Sequence, residues 1–311
     1  MKITKYDILA IVLDIIFIII LSLFFYLAKE INSSKVVYIP SGSTSKIISY
    51  LESRNFEVSK IDTFLLKFFG QPQSGWIDIG ENRLSKGDFL YKLTHSKAAL
   101  IKITLIPGET KEIFFKNVAK NMHLSYRKLI NEYNKLTNIK DGVILADTYI
   151  VPMGMSERHL VSYLVNNSFY KHRKLSQKIF GVYNKKRWFW YVSMASIIQK
   201  EAANKKEMPL VSAVIHNRIK KKMKLQMDGS LKYGLYSHKK ITASRIKNDN
   251  SSYNTYKIRG VPPNPVCSIS LDALKAAIFP ANKKYLYFVK GKKGKHLFST
   301  TYKAHLRNIR R

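Results

Sequence analysis

The sequence predicts an α+β fold in which a single N-terminal transmembrane helix precedes a small mixed module and a larger mixed domain. An apolar run of twenty residues begins at Ile8. Short alternating strand and helix patterns then fill residues 36–100, and residues 101–311 combine longer helices with a strand hairpin near the end. We therefore expect three parts, at residues 1–30, 36–100 and 101–311.

The composition excludes several classes of protein. The 311 residues are 46% hydrophobic, which is enough to form a core and excludes wholesale disorder. A single cysteine, Cys267, excludes an internal disulfide and a zinc cluster built from cysteines. No metal motif and no Gly-rich phosphate loop is evident, so we expect neither a metal nor a cofactor.

The formal net charge of +34 has two interpretations. Lys, Ile, Asn, Tyr and Phe are abundant together, so a genome rich in A and T could produce the excess without any anionic partner. The alternative is attraction to an anionic wall, to lipid head groups or to nucleic acid. A nucleic-acid surface interleaves basic and aromatic side chains, and the basic run from Arg218 to Lys224 has no aromatic residue, so we expect no nucleic-acid partner.

The apolar run Ile8 to Leu27 is interrupted only by Asp14 and Ser22. Twenty helical residues span about 30 Å, the thickness of the bilayer hydrocarbon. A cleaved signal peptide would have a shorter run and small residues at its exit, where this chain has Tyr26. We therefore expect an uncleaved anchor, with Asp14 at the interface or in a helix contact.

Basic residues flank the run almost equally, with Lys2 and Lys5 before it and Lys29 and Lys35 after it. The charge rule for orientation is therefore nearly balanced. A short N-terminal tail before a long globular part favours a cytoplasmic N-terminus. We expect a single-pass protein of the cell inner membrane whose long globular part is periplasmic or extracytoplasmic.

The small module shows strand and helix patterns in alternation. We predict a helix cap at Thr44 or Ser45. The predicted elements are a strand at Val36–Ile39, a helix at Ile47–Ser53, a strand at Gly75–Ile79, a helix from Ser85 through Leu93 and a strand at Ala99–Ile106.

The larger domain is mostly helical before it becomes rich in loops. Two short helices are expected between Lys111 and Tyr133, and loops between Lys224 and Ser270. The other predicted elements are helices at Ser156–Tyr170, Ser176–Tyr183, Trp188–Asn204, Met208–Met223 and Leu271–Phe279, and a hairpin of Tyr285–Val289 with His296–Phe298.

One carboxylate stands out on the helix predicted from Trp188. Met194, Ile197, Ile198 and Glu201 fall on one helix face, so an apolar stripe ends in a carboxyl group. Burial raises the pKa of a carboxyl group, and a carboxyl protonated near neutral pH can act as a general acid. The alternative is an ordinary Glu at a helix end that reaches solvent or pairs with Lys205.

The loops and helix ends that follow carry amides, a carboxylate and aromatic rings. Such groups are typical of a sugar-binding groove, because rings stack on the apolar faces of pyranoses and amides bind hydroxyl and acetamido groups. Ordinary turn chemistry is the competing explanation. The candidate substrate-binding residues are Asn217, Arg218, Gln226, Asp228, Tyr253, Asn254 and Tyr256.

Five segments in a fixed order resemble one family. They read ASIIQKE, VIHNRIKKKMKLQMD, SYNTY, GVPPNP and YLYFVKGKKGKHLFS, and DGVILADTY precedes them. In this order they are similar to the MltG/YceG family of endolytic murein transglycosylases. The resemblance implies a LysM-like module at residues 36–100 and a YceG-like catalytic domain at residues 101–311, with a catalytic helix in a lysozyme-like role.

The resemblance also implies the chemistry. A lytic transglycosylase cleaves the MurNAc-β-1,4-GlcNAc bond of nascent glycan strands without water and leaves a 1,6-anhydro-MurNAc end. Glu201 would be the catalytic acid and base, since Gln199 replaces the first carboxylate of the family's Glu-Lys-Glu. The chain further departs from the family at Met227 and Gly229, where Thr and Pro are usual, and at His305-Leu306, to which no role is assigned.

The expected partners are peptidoglycan glycan strands and the membrane, and the family adds peptidoglycan synthases. The alternative function is a non-catalytic, membrane-anchored protein that binds peptidoglycan. Glu201 distinguishes the two, because a binding protein has no need of an acid at the end of that apolar face.

Overall fold

A computed structural model describes residues 4–292 and 294–310 as a mixed α and β protein. The chain forms two compact units. The first contains Met1–Ile101 and Ile150–Gly154, and the second contains Lys102–Tyr149 and Met155–Arg311. The sequence-based boundaries at residues 1–30, 36–100 and 101–311 stay a prediction.

The first unit begins with the apolar helix and continues as short strands and helices. Strand β1 pairs antiparallel with β4, and β2 pairs antiparallel with β3. The elements are α1 (Lys5–Ala28), β1 (Glu30–Asn32), β2 (Val36–Ile39), α2 (Thr44–Ser53), α3 (Lys60–Phe69), β3 (Gly75–Asp78), β4 (Arg83–Ser85), α4 (Lys86–His95) and β5 (Leu100–Thr104).

Helix α1 is long and apolar enough to cross a membrane, by length and composition. Its start is fixed by a capping box, in which the backbone N–H of Thr4 donates to the Asp7 carboxylate at 2.8 Å and the Asp7 N–H donates to the Thr4 hydroxyl. The helix buries none of its residues fully against the described chain. This is the helix that the run Ile8 to Leu27 predicts.

The core of the first unit lies between its two-stranded sheets and helices α2, α3 and α4. Ile39, Leu51, Leu66, Phe89 and Leu90 are fully buried there. Leu27, at the end of α1, packs against the same cluster. The apolar helix therefore joins the folded part of this unit directly.

The second unit is mainly helical, and the chain changes unit within β5 and again within β6. Strands β7 and β8 form an antiparallel hairpin. The elements are α5 (Lys111–Met122), α6 (Tyr126–Leu136), β6 (Thr148–Pro152), α7 (Glu157–Phe180), α8 (Lys185–Glu201), α9 (Met208–Lys220), α10 (Ala243–Asn248), α11 (Leu271–Ile278), β7 (Tyr287–Lys290), β8 (His296–Ser299) and α12 (Tyr302–Ile309), with 3-10 turns at Asp228–Leu231 and Gly234–Tyr236.

A buried histidine joins α7 to α8. The indole N–H of Trp188 donates to Nδ1 of His172 at 3.0 Å, and Nε2 of His172 donates to the Val143 carbonyl at 2.9 Å. These partners fix the neutral tautomer, with the proton on Nε2. Burial lowers the pKa of His172 to about 4, so the ring stays neutral at physiological pH.

Several sequence-based expectations for the secondary structure are confirmed. The strand Val36–Ile39 has the predicted bounds, and the hairpin forms. Others are wrong. Ser43, rather than Thr44 or Ser45, caps α2, and one continuous helix, α7, replaces the two predicted helices. Six elements were not predicted: β1, α3, β4, β6, α10 and α12.

Candidate active site

Helix α8 is held in the second unit by two serine side chains. The Ser193 hydroxyl donates to the Pro262 carbonyl at 2.7 Å. The Ser196 hydroxyl accepts the backbone N–H of Val266 at 3.0 Å. The loop that contains the GVPPNP segment is thereby fixed along α8, and the orientation of the C-terminal residue Glu201 is set with it.

The apolar stripe that leads to Glu201 is buried. Met194, Ile197 and Ile198 have no exposed surface, as their spacing predicts, whereas Glu201 is partly exposed at the helix end. The helix stops there because Ala202 adopts an extended conformation, with ψ of 131°. A carboxyl group thus lies where a packed helix face reaches a cavity.

Lys205 does not pair with Glu201. Its ammonium group lies 2.8 Å from the Asp272 carboxylate, and both side chains are well exposed. The alternative in which Glu201 pairs with Lys205 is therefore wrong.

The environment of Glu201 favours the protonated acid. Burial raises its pKa to about 6, and the negative charge of Asp228 acts in the same direction. The Gly229 N–H, which donates to Oε1 at 2.6 Å, opposes this shift, as do the charges of His296 and Lys232. Because burial outweighs these contacts, a substantial fraction of the carboxyl groups carries a proton near pH 6.

Gly229 approaches the carboxyl group too closely for a side chain. A Cβ atom at this position would lie 2.9 Å from Oε1 of Glu201 and 2.7 Å from Cβ of Lys200. The absence of a side chain therefore permits the short hydrogen bond.

Glu201 opens into a cleft of about 340 Å³. The cleft combines the carboxyl group of Glu201 with aromatic rings and polar groups, a lining suited to a sugar. Its lining residues are Glu201, Arg218, Leu225, Gln226, Met227, Asp228, Tyr256, Tyr287, Phe288, Tyr302 and His305.

Asp228 and Tyr256 form a polar pair in this cleft. The Tyr256 hydroxyl donates to Oδ1 of Asp228 at 2.7 Å, and burial followed by this contact raises the pKa of Tyr256. The neighbouring Gln226 has a φ of +50°, an uncommon conformation for a residue other than glycine. The loop between α9 and the first 3-10 turn is thus held in a constrained shape beside Glu201.

Arg218 lines the cleft but uses its guanidinium mainly to hold the backbone. Its Nε donates to the Leu286 carbonyl at 2.7 Å, and one terminal nitrogen donates to the Leu225 carbonyl at 2.8 Å. The group also lies 5.2 Å from the centre of the Tyr287 ring. Arg218 therefore links the loop after α9 to the hairpin strand β7.

Three other candidates do not line this cleft. The side-chain amide of Asn217 donates to the carbonyls of Lys283 and Tyr285, and the fully buried Asn254 likewise donates to backbone carbonyls. Tyr253 stacks on Tyr233 at 4.3 Å and lines a different cavity of about 420 Å³. The structure therefore brings together Glu201 and four of the seven candidate binding residues, namely Arg218, Gln226, Asp228 and Tyr256.

Sequence reasoning missed the aromatic wall of the cleft. Tyr287 and Phe288 come from β7, and Tyr302 and His305 come from the unpredicted helix α12. His305 stacks on Tyr287 at 5.2 Å, and its Nδ1 is buried without a hydrogen-bond partner among the described residues. The density of aromatic residues in the hairpin segment was the available signal.

A second acidic residue, Glu207, is occupied by hydrogen bonds to His296. Glu207 is buried, and its Oε2 accepts Nδ1 of His296 at 2.7 Å while its Oε1 accepts the His296 backbone N–H at 3.1 Å. These contacts hold the pKa of Glu207 below its ordinary value although burial opposes them. Glu207 is therefore ionised where Glu201 is poised to carry a proton.

Gln199 has a structural role two residues before Glu201. Its side-chain oxygen accepts the Ser270 hydroxyl at 2.7 Å and the Ser270 backbone N–H at 3.1 Å. It thus supports the N-terminal cap of α11. Within residues 4–292 and 294–310, no group of three or more His, Cys, Asp or Glu side chains is arranged to hold a metal ion.

The sequence profile of the YceG-like family matches residues 37–311. The chain belongs to the YceG-like family. A 2.6 Å crystal structure of a putative yceG-like protein from Listeria monocytogenes shares the fold, with a TM-score of 0.58 and 23% identity, over 88% of this YceG-like chain and 97% of that one.

Two named relatives match part of this YceG-like chain. An endolytic murein transglycosylase of Bacillus subtilis (strain 168) is 36% identical over 114 residues, which are 37% of this chain and 32% of the relative. An endolytic murein transglycosylase of Streptococcus pneumoniae (strain D39) is 32% identical over 124 residues, or 38% of this chain and 22% of the relative. The match thus spans about a third of the first relative and about a fifth of the second.

Proposed function

We propose that this YceG-like protein is an endolytic peptidoglycan lytic transglycosylase, a lyase that cleaves MurNAc-β-1,4-GlcNAc bonds in nascent glycan strands. The observation that carries the proposal is Glu201, a carboxyl group with a pKa raised to about 6 at the wall of an aromatic cleft. The names of the two relatives support the same reaction class.

Glu201 would act twice. Protonated, it donates its proton to the glycosidic oxygen as the bond to the MurNAc C1 atom breaks, and the departing GlcNAc leaves as an alcohol. The C6 hydroxyl of the same MurNAc then bonds to C1, and the Glu201 carboxylate removes the hydroxyl proton. The product is a 1,6-anhydro end, and the acid is regenerated. The reaction consumes no water and needs no second catalytic carboxyl group.

The neighbours of Glu201 suit the intermediate steps. The Gly229 N–H holds one carboxyl oxygen, so the other remains to face the substrate. The Asp228 carboxylate is on the same cleft and favours positive charge at the sugar ring as the bond breaks. Tyr256 and Tyr287 offer ring faces to the sugars, and we propose Arg218 and Gln226 as further substrate contacts.

We further propose that α1 anchors the protein in the inner membrane as a single span. The N-terminus would be cytoplasmic and the catalytic part extracytoplasmic, where nascent glycan strands emerge. The proposed LysM-like module at residues 36–100 would bind glycan, and peptidoglycan synthases would be partners. The length and composition of α1 support the anchor.

The test uses the full chain in detergent with purified glycan strands. Mass spectrometry should detect products with 1,6-anhydro-muramoyl ends, and the Glu201→Gln protein should give none while still sedimenting with insoluble wall. A folded wild-type protein that binds wall but releases no such ends would refute the enzyme.

That last result would favour the alternative, a non-catalytic peptidoglycan-binding protein. The aromatic lining of the cleft suits binding as well as cleavage. The raised pKa of Glu201 distinguishes the two functions, because holding a glycan does not require a protonated acid.

A further inference from the structure

Helix α3 carries an exposed apolar face in the first unit. Ile61, Phe64 and Phe68 are 58%, 73% and 89% exposed, and their spacing of three and four places them on one side of the helix. The opposite side packs into the core through Leu66 and carries Asp62, both fully buried. Two phenylalanines exposed to this degree on one helix face are uncommon on a protein surrounded by water.

The same helix is bound to the end of α1. The Tyr26 hydroxyl, in the last turn of α1, donates to Oδ1 of Asp62 at 3.0 Å and lies 2.9 Å from the Ser59 hydroxyl. The ammonium group of Lys86 lies 3.4 Å from the Asp62 carboxylate, 3.0 Å from the Tyr26 hydroxyl and 4.2 Å from the centre of its ring. A buried network therefore fixes the start of α3 to the point where α1 ends.

No flexible linker separates α1 from this unit. The Lys29 carbonyl accepts the Lys86 backbone N–H at 2.9 Å, and β1 begins at the next residue, Glu30. Phe68 is six residues beyond Asp62, or about 9 Å along the helix axis. Ile61 directly precedes Asp62, so the exposed face of α3 begins beside the last turn of α1 and extends about 9 Å along α3.

We propose that the face of Ile61, Phe64 and Phe68 lies in the membrane interface beside α1, as a second contact with the lipid. The proposal rests on the membrane anchoring by α1 put forward above. Its first residue, Ile61, is next to Asp62, the residue through which α3 contacts the end of α1. Lys60 and Lys67 are exposed on the same helix, where their ammonium groups can reach anionic head groups while the rings enter the acyl boundary.

The test measures the depth of single sites in the full-length protein. The protein is reconstituted into vesicles of phosphatidylethanolamine and phosphatidylglycerol that carry lipids with doxyl quenchers. Phe64→Cys and Phe68→Cys are each labelled with an environment-sensitive fluorophore. The native Cys267 is fully buried, and a Cys267→Ala background removes any residual labelling.

Two matched sites calibrate the measurement. Phe17→Cys reports on α1 itself, where Phe17 is 64% exposed. Ser45→Cys is a nearly isosteric change in the first turn of α2. The other end of α2 is the one near α1, because Glu57, just beyond that end, pairs with Lys29 at 3.2 Å. Ser45 is thus at the end of α2 away from the membrane helix.

The expected result is a blue-shifted emission and quenching by interfacial quenchers at positions 64 and 68, deeper quenching at position 17, and water-like emission at position 45. If position 17 is quenched while 64 and 68 behave like 45, the anchor stands and the second contact is refuted. Water-like emission at position 17 would refute the anchor itself and the inference with it. Blue-shifted but unquenched labels at positions 64 and 68 would show that a protein partner or a second copy covers the face, and would overturn the proposal. Equal quenching at positions 45 and 64 would show that this unit has no preferred face towards the lipid, and would also overturn it.

Discussion

Oε1 of Glu201 accepts the backbone N–H of Gly229 at 2.6 Å, at a place where a Cβ on residue 229 would come within 2.9 Å of that same oxygen. The hydrogen bond orients the carboxyl group, and the bare Cα permits it. The position of the proposed acid therefore depends on a residue that has no side-chain chemistry of its own.

Gly229→Ala should reduce cleavage by about 100-fold, since a displacement of about 1 Å at a reacting group has an effect of this size. The added methyl group must push the Glu201 carboxyl aside or move the loop. The measurement is the rate of release of anhydro-muramoyl ends, with circular dichroism to show that the protein is folded. Gly87→Ala is the control, because its Cβ would meet Leu27 at an ordinary 3.5 Å; equal rates for the two variants would contradict the role of the close approach.

Glu201→Gln should abolish cleavage and raise the melting temperature at pH 7. The folded protein holds the pKa of Glu201 at about 6, above the usual 4.5, so ionisation destabilises the fold as pH rises through this window. The amide removes this cost, about 2 kcal/mol at most, and keeps an acceptor for the Gly229 N–H. The gain should vanish below pH 4.5, where the carboxyl is protonated in both states.

Gln199→Glu is the matched control for that variant. A carboxylate at position 199 still accepts the two hydrogen bonds from Ser270, so activity should change little. Full activity of a folded Glu201→Gln protein would remove Glu201 from the mechanism.

Asp228→Asn should move the alkaline limb of the pH profile of kcat/KM to lower pH. The negative charge of Asp228 raises the pKa of Glu201, so its removal lets Glu201 lose its proton earlier as pH rises. Asp272→Asn, a change at an exposed carboxylate paired with Lys205, should leave the limb in place. An unshifted limb in Asp228→Asn would mean that another group controls it.

His172→Gln should flatten the acid side of the stability curve. Folding lowers the pKa of His172 from 6.5 to about 4. As pH drops from 6.5 towards 4, His172 therefore takes up a proton in the unfolded chain but not in the folded protein, and the free energy of unfolding falls. Across this pH range the free energy of unfolding should fall by about 3 kcal/mol. Glutamine at position 172 can still accept the hydrogen bond from the Trp188 indole, but it does not titrate. Melting temperatures of both proteins at pH 4.5 and 7 test it, and parallel curves would contradict the assignment.

A reporter fused after Arg311 should be active only outside the cytoplasm. The expectation follows from one apolar helix near the N-terminus of the described chain and from the cytoplasmic N-terminus proposed above. Paired fusions of a periplasm-active phosphatase and a cytoplasm-active galactosidase make the measurement. Galactosidase activity at that position would contradict the proposed orientation and would place the protein on the other side of the membrane from its proposed substrate.

The spacing of apolar residues predicts the helices and strands in which such residues recur regularly. It does not predict elements that form only through contacts with distant parts of the chain. Helix α7 was predicted as two helices because its middle is polar, yet His172 and Ser176 are buried there and their partners keep the helix continuous. The three-residue strands β1 and β4 have too few residues to show a pattern, and they form by pairing with each other.

At the candidate site, the sequence identified Glu201 but could not separate substrate contacts from supports. Asn217 and Arg218 are adjacent in sequence. Both donate to backbone carbonyls in the segment just before β7, more than sixty residues further along the chain. Only folding shows that Asn217 is committed to carbonyls while Arg218 also faces the cleft. Tyr253 and Tyr256 are three residues apart and line different cavities for the same reason.

The network of Tyr26, Asp62 and Lys86 makes α1 a structural part of the unit that follows it. Exchanging α1 for a different apolar helix would leave the fully buried Asp62 without its phenol partner, so another helix could not simply replace α1. For the anchor proposed above, the rigid junction would also make the protein respond to the lipid itself. A bilayer of different thickness changes the tilt of a spanning helix, and that tilt would rotate the attached first unit together with α1.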